Sequence, residues 1–156
     1  MIPEKSHFLY PAALFAPREP HIINTILGSC VGVCFHDPTM NIGGMAHYML
    51  PLWNGEGLAS PKYGNIAIER LLEKLKSFGS KKYNIKAKIF GGGEVIESHA
   101  PYFYIGQRNI EIAEEMLGDM KIPIVASSTS GKMGRKLIFN TYTGEVRQRY
   151  VKRQNL

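Results

Sequence analysis

Three short apolar runs crowd into residues 21–50, and the words between them narrow the choice of fold. Ile22, Ile23 and Ile26 belong to the first, Val31-Gly32-Val33-Cys34-Phe35 form the second, and the third ends in Met45-Ala46-His47-Tyr48. The first two are parted by Gly28-Ser29, and His36-Asp37-Pro38 opens a turn between the last two. Short runs rich in β-branched and aromatic residues, bounded by Gly, Pro, Asp and Ser, read as strands. The spacing predicts strands over 21–27, 31–36 and 42–50.

Helical signals come later. Ser60-Pro61 predicts an N-cap followed by proline at the first helical position. Ile68, Leu71, Leu72 and Leu75 then recur at i, i+3, i+4 and i+7, one apolar helix face, and Gly79 supplies the stop. Residues 86–90 predict a strand ending at Gly91-Gly92-Gly93, where the missing side chains let the backbone pass close to another element. After Pro101 and the aromatics Tyr102, Phe103 and Tyr104, IGQRN starts a second helix whose buried side carries Ile112, Ala113, Met116, Leu117 and Met120. Residues 122–127 predict another strand, and the segment from Arg135 a hairpin turning near Thr143-Gly144. Residues 1–20, broken by prolines, are expected to be irregular or to lie at an edge. Strands, then helices, then strands predict an α+β fold: a layered sandwich with mixed, mainly antiparallel sheets and two main helices on one face.

At 156 residues the chain is long enough to bury about 70% of its unfolded surface, and it reads as one domain over 1–156. Two cysteines make no disulfide framework. The N-terminus lacks a basic region and a continuous apolar stretch, so neither a signal peptide nor membrane insertion is expected, and the reading is cytoplasmic. The net charge of +6 comes from 19 basic and 13 acidic residues, with Arg147, Arg149, Lys152 and Arg153 gathered at the end. No nucleic-acid-binding signature accompanies it, which favours an acidic protein surface over nucleic acid.

Chemistry concentrates on Cys30 and His47. A thiol becomes a strong nucleophile as thiolate, below its ordinary pKa of about 8.5 only with help from a base or an electropositive site. Histidine is the usual helper, and adjacent antiparallel strands bring residues 17 positions apart together. Cys30 stands at the lip of a turn, where backbone N–H groups around Gly28 and Ser29 can point at a developing oxyanion. Cys34 lies within the strand and reads as a small hydrophobe. His7, His21, His36 and His99 lack ligand spacing, and a zinc site combining Cys30 and Cys34 is discounted because four strand residues hold them about 13 Å apart. No metal or organic cofactor is expected. The run SSTSGKMGRK fails as a P-loop: Ala126 takes the place of the first glycine and Met133 that of the magnesium-holding Ser or Thr.

The motifs LGSCVGVCFHDP and GGMAHYMLP, followed by KYGNIAIERLL, AKIFGGG, IGQRN, IPIVA and GRKLIFNTYTGEV, resemble in order those of the chemoreceptor glutamine deamidase family, CheD. The resemblance spans about residues 20 to 150. It implies a layered α/β/β sandwich and a protein-glutamine glutaminase that converts glutamines on the cytoplasmic helices of chemoreceptors to glutamate, with Cys30 as nucleophile and His47 as base. It also implies a CheC-type phosphatase as partner. The family commonly places a threonine six residues before the cysteine. That position here is Asn24, with Thr25 one step later on the opposite strand face, so Asn24 is expected to orient the imidazole. Two other classes stay open: an interaction module binding the CheC phosphatase with weak or no catalysis, and a cysteine hydrolase of different specificity. An activated Cys30 is expected to alkylate well below the pH of an ordinary thiol.

Overall fold

The computed structural model describes residues 2–94 and 104–152. The positions of His99, Arg153 and the Pro101–Phe103 aromatic run fall outside them. In chain order the elements are β1 (Lys5–Phe8), β2 (Ala13–Phe15), β3 (His21–Leu27), β4 (Val31–Asp37), β5 (Ile42–Tyr48), α1 (Gly64–Ser77), β6 (Lys86–Gly91), α2 (Ile105–Met120), β7 (Ile124–Thr129), β8 (Gly134–Asn140) and β9 (Val146–Val151).

The strands form two mixed sheets, ordered β2-β5-β4-β6-β7 and β1-β3-β8-β9. Pairing is antiparallel except for β1 with β3 and β6 with β7. Both helices cover one face of the five-stranded sheet. Their stripes (Ala67, Ile68, Leu71 and Leu75; Ile110, Ala113 and Leu117) pack on Val31, Val33, Phe35, Ala46 and Tyr48. The other face meets the four-stranded sheet through Ile23, Leu27, Cys34, Met45, Phe90, Leu137 and Phe139. The result is the expected three layers. Strand β4 lies between two covered faces, which is why its sequence is apolar almost without alternation.

One local expectation changes and another is met in one of its alternatives. Helix α1 starts at Gly64, not at Pro61, and no side chain caps it. The backbone before it is engaged by the end of β5 instead: the Met49 N–H donates to the Lys62 carbonyl at 2.9 Å, and the Gly64 N–H to the Leu50 carbonyl at 2.8 Å. Tertiary pairing thus overrides the local cap signal. Residues 1–20 take the edge alternative, for β1 and β2 lie there as edge strands of the two sheets. The hairpin turn follows the expectation: Asn140 Oδ1 accepts from the backbone N–H groups of Tyr142 and Thr143, and Gly144 has φ +81°.

Candidate active site

The register of β4 against β5 places the two candidate side chains. Gly32 stands opposite His47, and the last rung pairs Val31 with Tyr48. Cys30 precedes Gly32 by two residues, one position beyond that last rung, and strand alternation assigns it to the face of His47. That face is the layer between the sheets, where Cys30 packs against the inner core. Residue 32 contributes no side chain, and Leu27 fills the space beside it; a Cβ there would come within 3.2 Å of Leu27 Cδ1.

The opposite sheet supplies the partner of the imidazole. Strand β3 buries Ile23, Thr25 and Leu27 and turns Ile22, Asn24 and Ile26 outward. Thr25 Oγ1 lies 2.8 Å from His47 Nδ1 and 2.7 Å from the carbonyl of Leu9, with both side chains buried. The expectation for Asn24 is therefore corrected. Its side chain belongs to the outer face of β3, and the residue that meets the imidazole is Thr25.

These two contacts fix a tautomer. A hydroxyl has one hydrogen. The Leu9 carbonyl can only accept, so it takes that hydrogen, and Thr25 Oγ1 must accept from His47 Nδ1–H. The proton of the neutral imidazole then sits on Nδ1, and Nε2 carries a free lone pair. Nε2 is buried and has no hydrogen-bond partner among the described residues. Burial pushes the imidazole pKa down to about 4, opposed by the Leu9 carbonyl. Burial likewise pushes the Cys30 thiol up to about 11, opposed by its own backbone N–H. Burial thus disfavours the charged form of each group taken alone.

The turn that carries Cys30 is held by its carbonyls. Gly93 N–H donates to the Gly28 carbonyl at 2.9 Å and Gly92 N–H to the Cys30 carbonyl at 2.9 Å. Asn109 Nδ2 donates to the Ser29 carbonyl at 3.0 Å. The glycine run has the role that its sequence suggested. A Cβ on Gly91, whose φ is +101°, would stand 2.3 Å from the Cys30 carbonyl oxygen.

The remaining candidates are structural. His36 Nε2 lies 2.8 Å from the Tyr142 carbonyl and its ring covers Gly144. Buried Asp37 accepts from the backbone of Thr39 and Met40 and from the Ser80 hydroxyl. Cys34 is buried in the inter-sheet core. Thr25 and Asn109 are the site residues that sequence reasoning missed. Alternation with Ile23 and Leu27 marks the first as inward-facing, and a polar residue on the buried stripe of α2 marks the second.

A thiol and an oriented imidazole with a free lone pair, sharing one dry face, are the parts of a cysteine-dependent acyl hydrolase. Comparison with known proteins narrows the class. Residues 49–150 match the family model described as CheD chemotactic sensory transduction. A protein of Trichlorobacter lovleyi named "Probable chemoreceptor glutamine deamidase CheD" is 48% identical over 98% of this chain and 95% of its own length. One of the same name from Sulfurimonas denitrificans is 44% identical over 94% of each chain. The "Chemoreceptor glutamine deamidase CheD" of Halalkalibacterium halodurans is 40% identical over 90% of each. The chain belongs to the CheD family.

Proposed function

We propose that this chain is a protein-glutamine deamidase that hydrolyses the side-chain amides of chemoreceptor glutamines to glutamate, with Cys30 as nucleophile and His47 as base. The observation that carries the residue roles is the bond from His47 Nδ1–H to Thr25, which leaves Nε2 as a lone pair on the face of Cys30. Family membership carries the substrate class.

His47 Nε2 takes the proton of Cys30 as the sulfur attacks the glutamine Cδ carbonyl. Each charge alone is disfavoured by burial, but thiolate and imidazolium arise together and attract in a poorly screened layer. Transfer therefore waits for an electrophile that takes up the sulfur lone pair. The oxyanion collects at the turn. The carbonyls of Gly28, Ser29 and Cys30 are all turned to other partners. Among the described residues the N–H groups of Ser29 and Cys30 donate to no backbone carbonyl, so they are the donors we assign to the oxyanion. Collapse breaks the C–N bond, His47 returns its proton to the nitrogen, and ammonia leaves a thioester. Water, deprotonated by His47, adds to that thioester, and collapse expels Cys30, which recovers the proton. Thr25 holds the ring through both passages and accepts a stronger bond whenever the ring is charged.

The reading treats residues 1–156 as one catalytic domain working in the cytoplasm. No helix among the described residues is long and apolar enough to cross a membrane. A CheC-type phosphatase as partner rests on the family resemblance. The test is incubation with a glutamine-bearing chemoreceptor cytoplasmic fragment and peptide mass spectrometry, with Cys30→Ala alongside. Glutamate at defined sites, only with Cys30 present and with the receptor backbone intact, is the expected result. Backbone cleavage would make the chain a protease, and conversion by Cys30→Ala would remove the thiol from the mechanism.

A further inference from the structure

Helix α2 buries Gly106, Asn109, Ile110, Ala113 and Leu117. Asn109 is the one side chain among these that carries hydrogen-bonding groups, and it is fully buried. Asparagine is a poor helix former, and a buried amide must find partners. Its partners lie in two different strands' extensions. Nδ2 donates to the Ser29 carbonyl at 3.0 Å and to the Met49 carbonyl at 3.0 Å. Two carbonyl acceptors require the NH₂ group at that position, so the amide orientation is fixed by its neighbours. The backbone carbonyl of the same residue accepts from the Tyr48 hydroxyl.

These contacts fall just past the last rung of the β4–β5 ladder, the pair Val31 and Tyr48. Ser29 immediately precedes Cys30, and Met49 comes two residues after His47. Beyond a last rung two strands are free to splay, and the nucleophile hangs on one of the two ends. The Asn109 amide bridges those ends where the ladder stops, with each hydrogen of its NH₂ spent on one strand. Helix α2 is in turn seated tightly on the glycine run that holds the Cys30 carbonyl. A Cβ on Gly106 would lie 2.5 Å from the Gly92 oxygen.

We infer that Asn109 is a positioning residue for the amidase reaction, a strap that sets the gap between Cys30 and His47 by tying the ends of their strands. The inference rests on the reading of these two as nucleophile and base. It concerns geometry, so removing the strap acts on catalysis beyond its effect on folding. A misplacement on the order of 1 Å costs about a hundredfold in rate.

The experiment is a double-mutant cycle on the rate at which iodoacetamide alkylates Cys30, measured well below the melting points of all four proteins. They are the unmodified chain, His47→Gln, Asn109→Ala and the double variant. With the strap intact, His47→Gln should slow alkylation by about tenfold; without it the same substitution should change the rate by less than about twofold. Asn109→Ser stands in where the alanine variant does not fold. In the deamidation assay Asn109→Ala should lower kcat by about a hundredfold with KM within about twofold. Leu117→Ala, which removes buried volume from the same helix stripe, should lower Tm at least as far and keep kcat. Equal effects of His47→Gln in both backgrounds, or a kcat loss that Leu117→Ala matches, would overturn the strap. A Cys30 rate indifferent to His47→Gln in the unmodified chain would overturn the nucleophile–base reading itself, and the strap with it.

Discussion

Replacing Thr25 by valine keeps the branched shape of the side chain and removes only its hydroxyl. Two bonds go with it: the one donated to the Leu9 carbonyl and the one accepted from His47 Nδ1–H. Both lost partners are buried. A buried polar group left without a partner costs about 1–3 kcal/mol, so the variant should lose about 2–4 kcal/mol of stability after the gain from burying a methyl group. The kinetic loss has a separate origin. When His47 carries the thiol proton, Nδ1–H donates from a charged ring, and such a bond contributes about 1.5–3 kcal/mol, or about 10- to 150-fold in kcat. Without the hydroxyl the neutral ring can also hold its proton on Nε2, where it cannot accept one. The assay is receptor-fragment deamidation for Thr25→Val, Thr25→Ser and Asn24→Ala, with ¹⁵N chemical shifts of His47 reporting the tautomer. Thr25→Ser retains the hydroxyl and should retain most of kcat. Asn24→Ala changes an outward-facing side chain and should stay within about twofold. Unchanged kcat in Thr25→Val, or a loss in Asn24→Ala as large as that of Thr25→Val, would refute the reasoning.

Other consequences follow from the same geometry. The His47 pKa falls from 6.5 to about 4 on folding, so the unfolded chain binds the proton more tightly. This contribution is fully present above pH 6.5 and is lost as pH falls through about 4. It is worth about 3 kcal/mol, and urea titrations of His47→Gln should show a correspondingly flatter acid limb. Cys30 shifts the other way, up to about 11. Its alkylation should be slower than that of a free thiol at neutral pH and still be rising above pH 9; a plateau near pH 7 would show a preformed thiolate. Gly91→Ala must accommodate a Cβ against the Cys30 carbonyl at positive φ. It should lower Tm by several degrees and abolish most deamidation, read by differential scanning calorimetry and mass spectrometry, whereas Gly118→Ala, with open space around it and no positive φ, should leave deamidation intact.

Much of the architecture was legible because it is written in short-range pattern. The strand at 21–27 was recovered with its observed ends, and β4 and β5 to within a residue or two, because turn residues bound each run. The faces of both helices followed from Ile68, Leu71, Leu72 and Leu75 and from Ala113 and Leu117, since helical period alone decides which residues line up. Helix α1 began later than its local signal because β5 competes for the same backbone groups, and no feature near Ser60-Pro61 reports that competition. Residue type and turn context single out Cys30 and His47 as candidates. Spacing from the cysteine points to Asn24, whereas Ile23 and Leu27 on either side of Thr25 mark its face as the buried one.

By itself the sequence determined the elements, the layered sandwich and the family, because these depend on local periodicity and on an ordered set of motifs. Tertiary structure alone decided which groups meet at the candidate site. Leu9 and Thr25 come from one sheet edge and strand, His47 from the other sheet, and Asn109 from a helix 60 residues downstream of Met49. The partner of His47, the raised Cys30 pKa and the Asn109 link between Ser29 and Met49 all arise from groups distant in sequence. They arise from hydrogen bonding and desolvation, which act through space and leave no period in the chain.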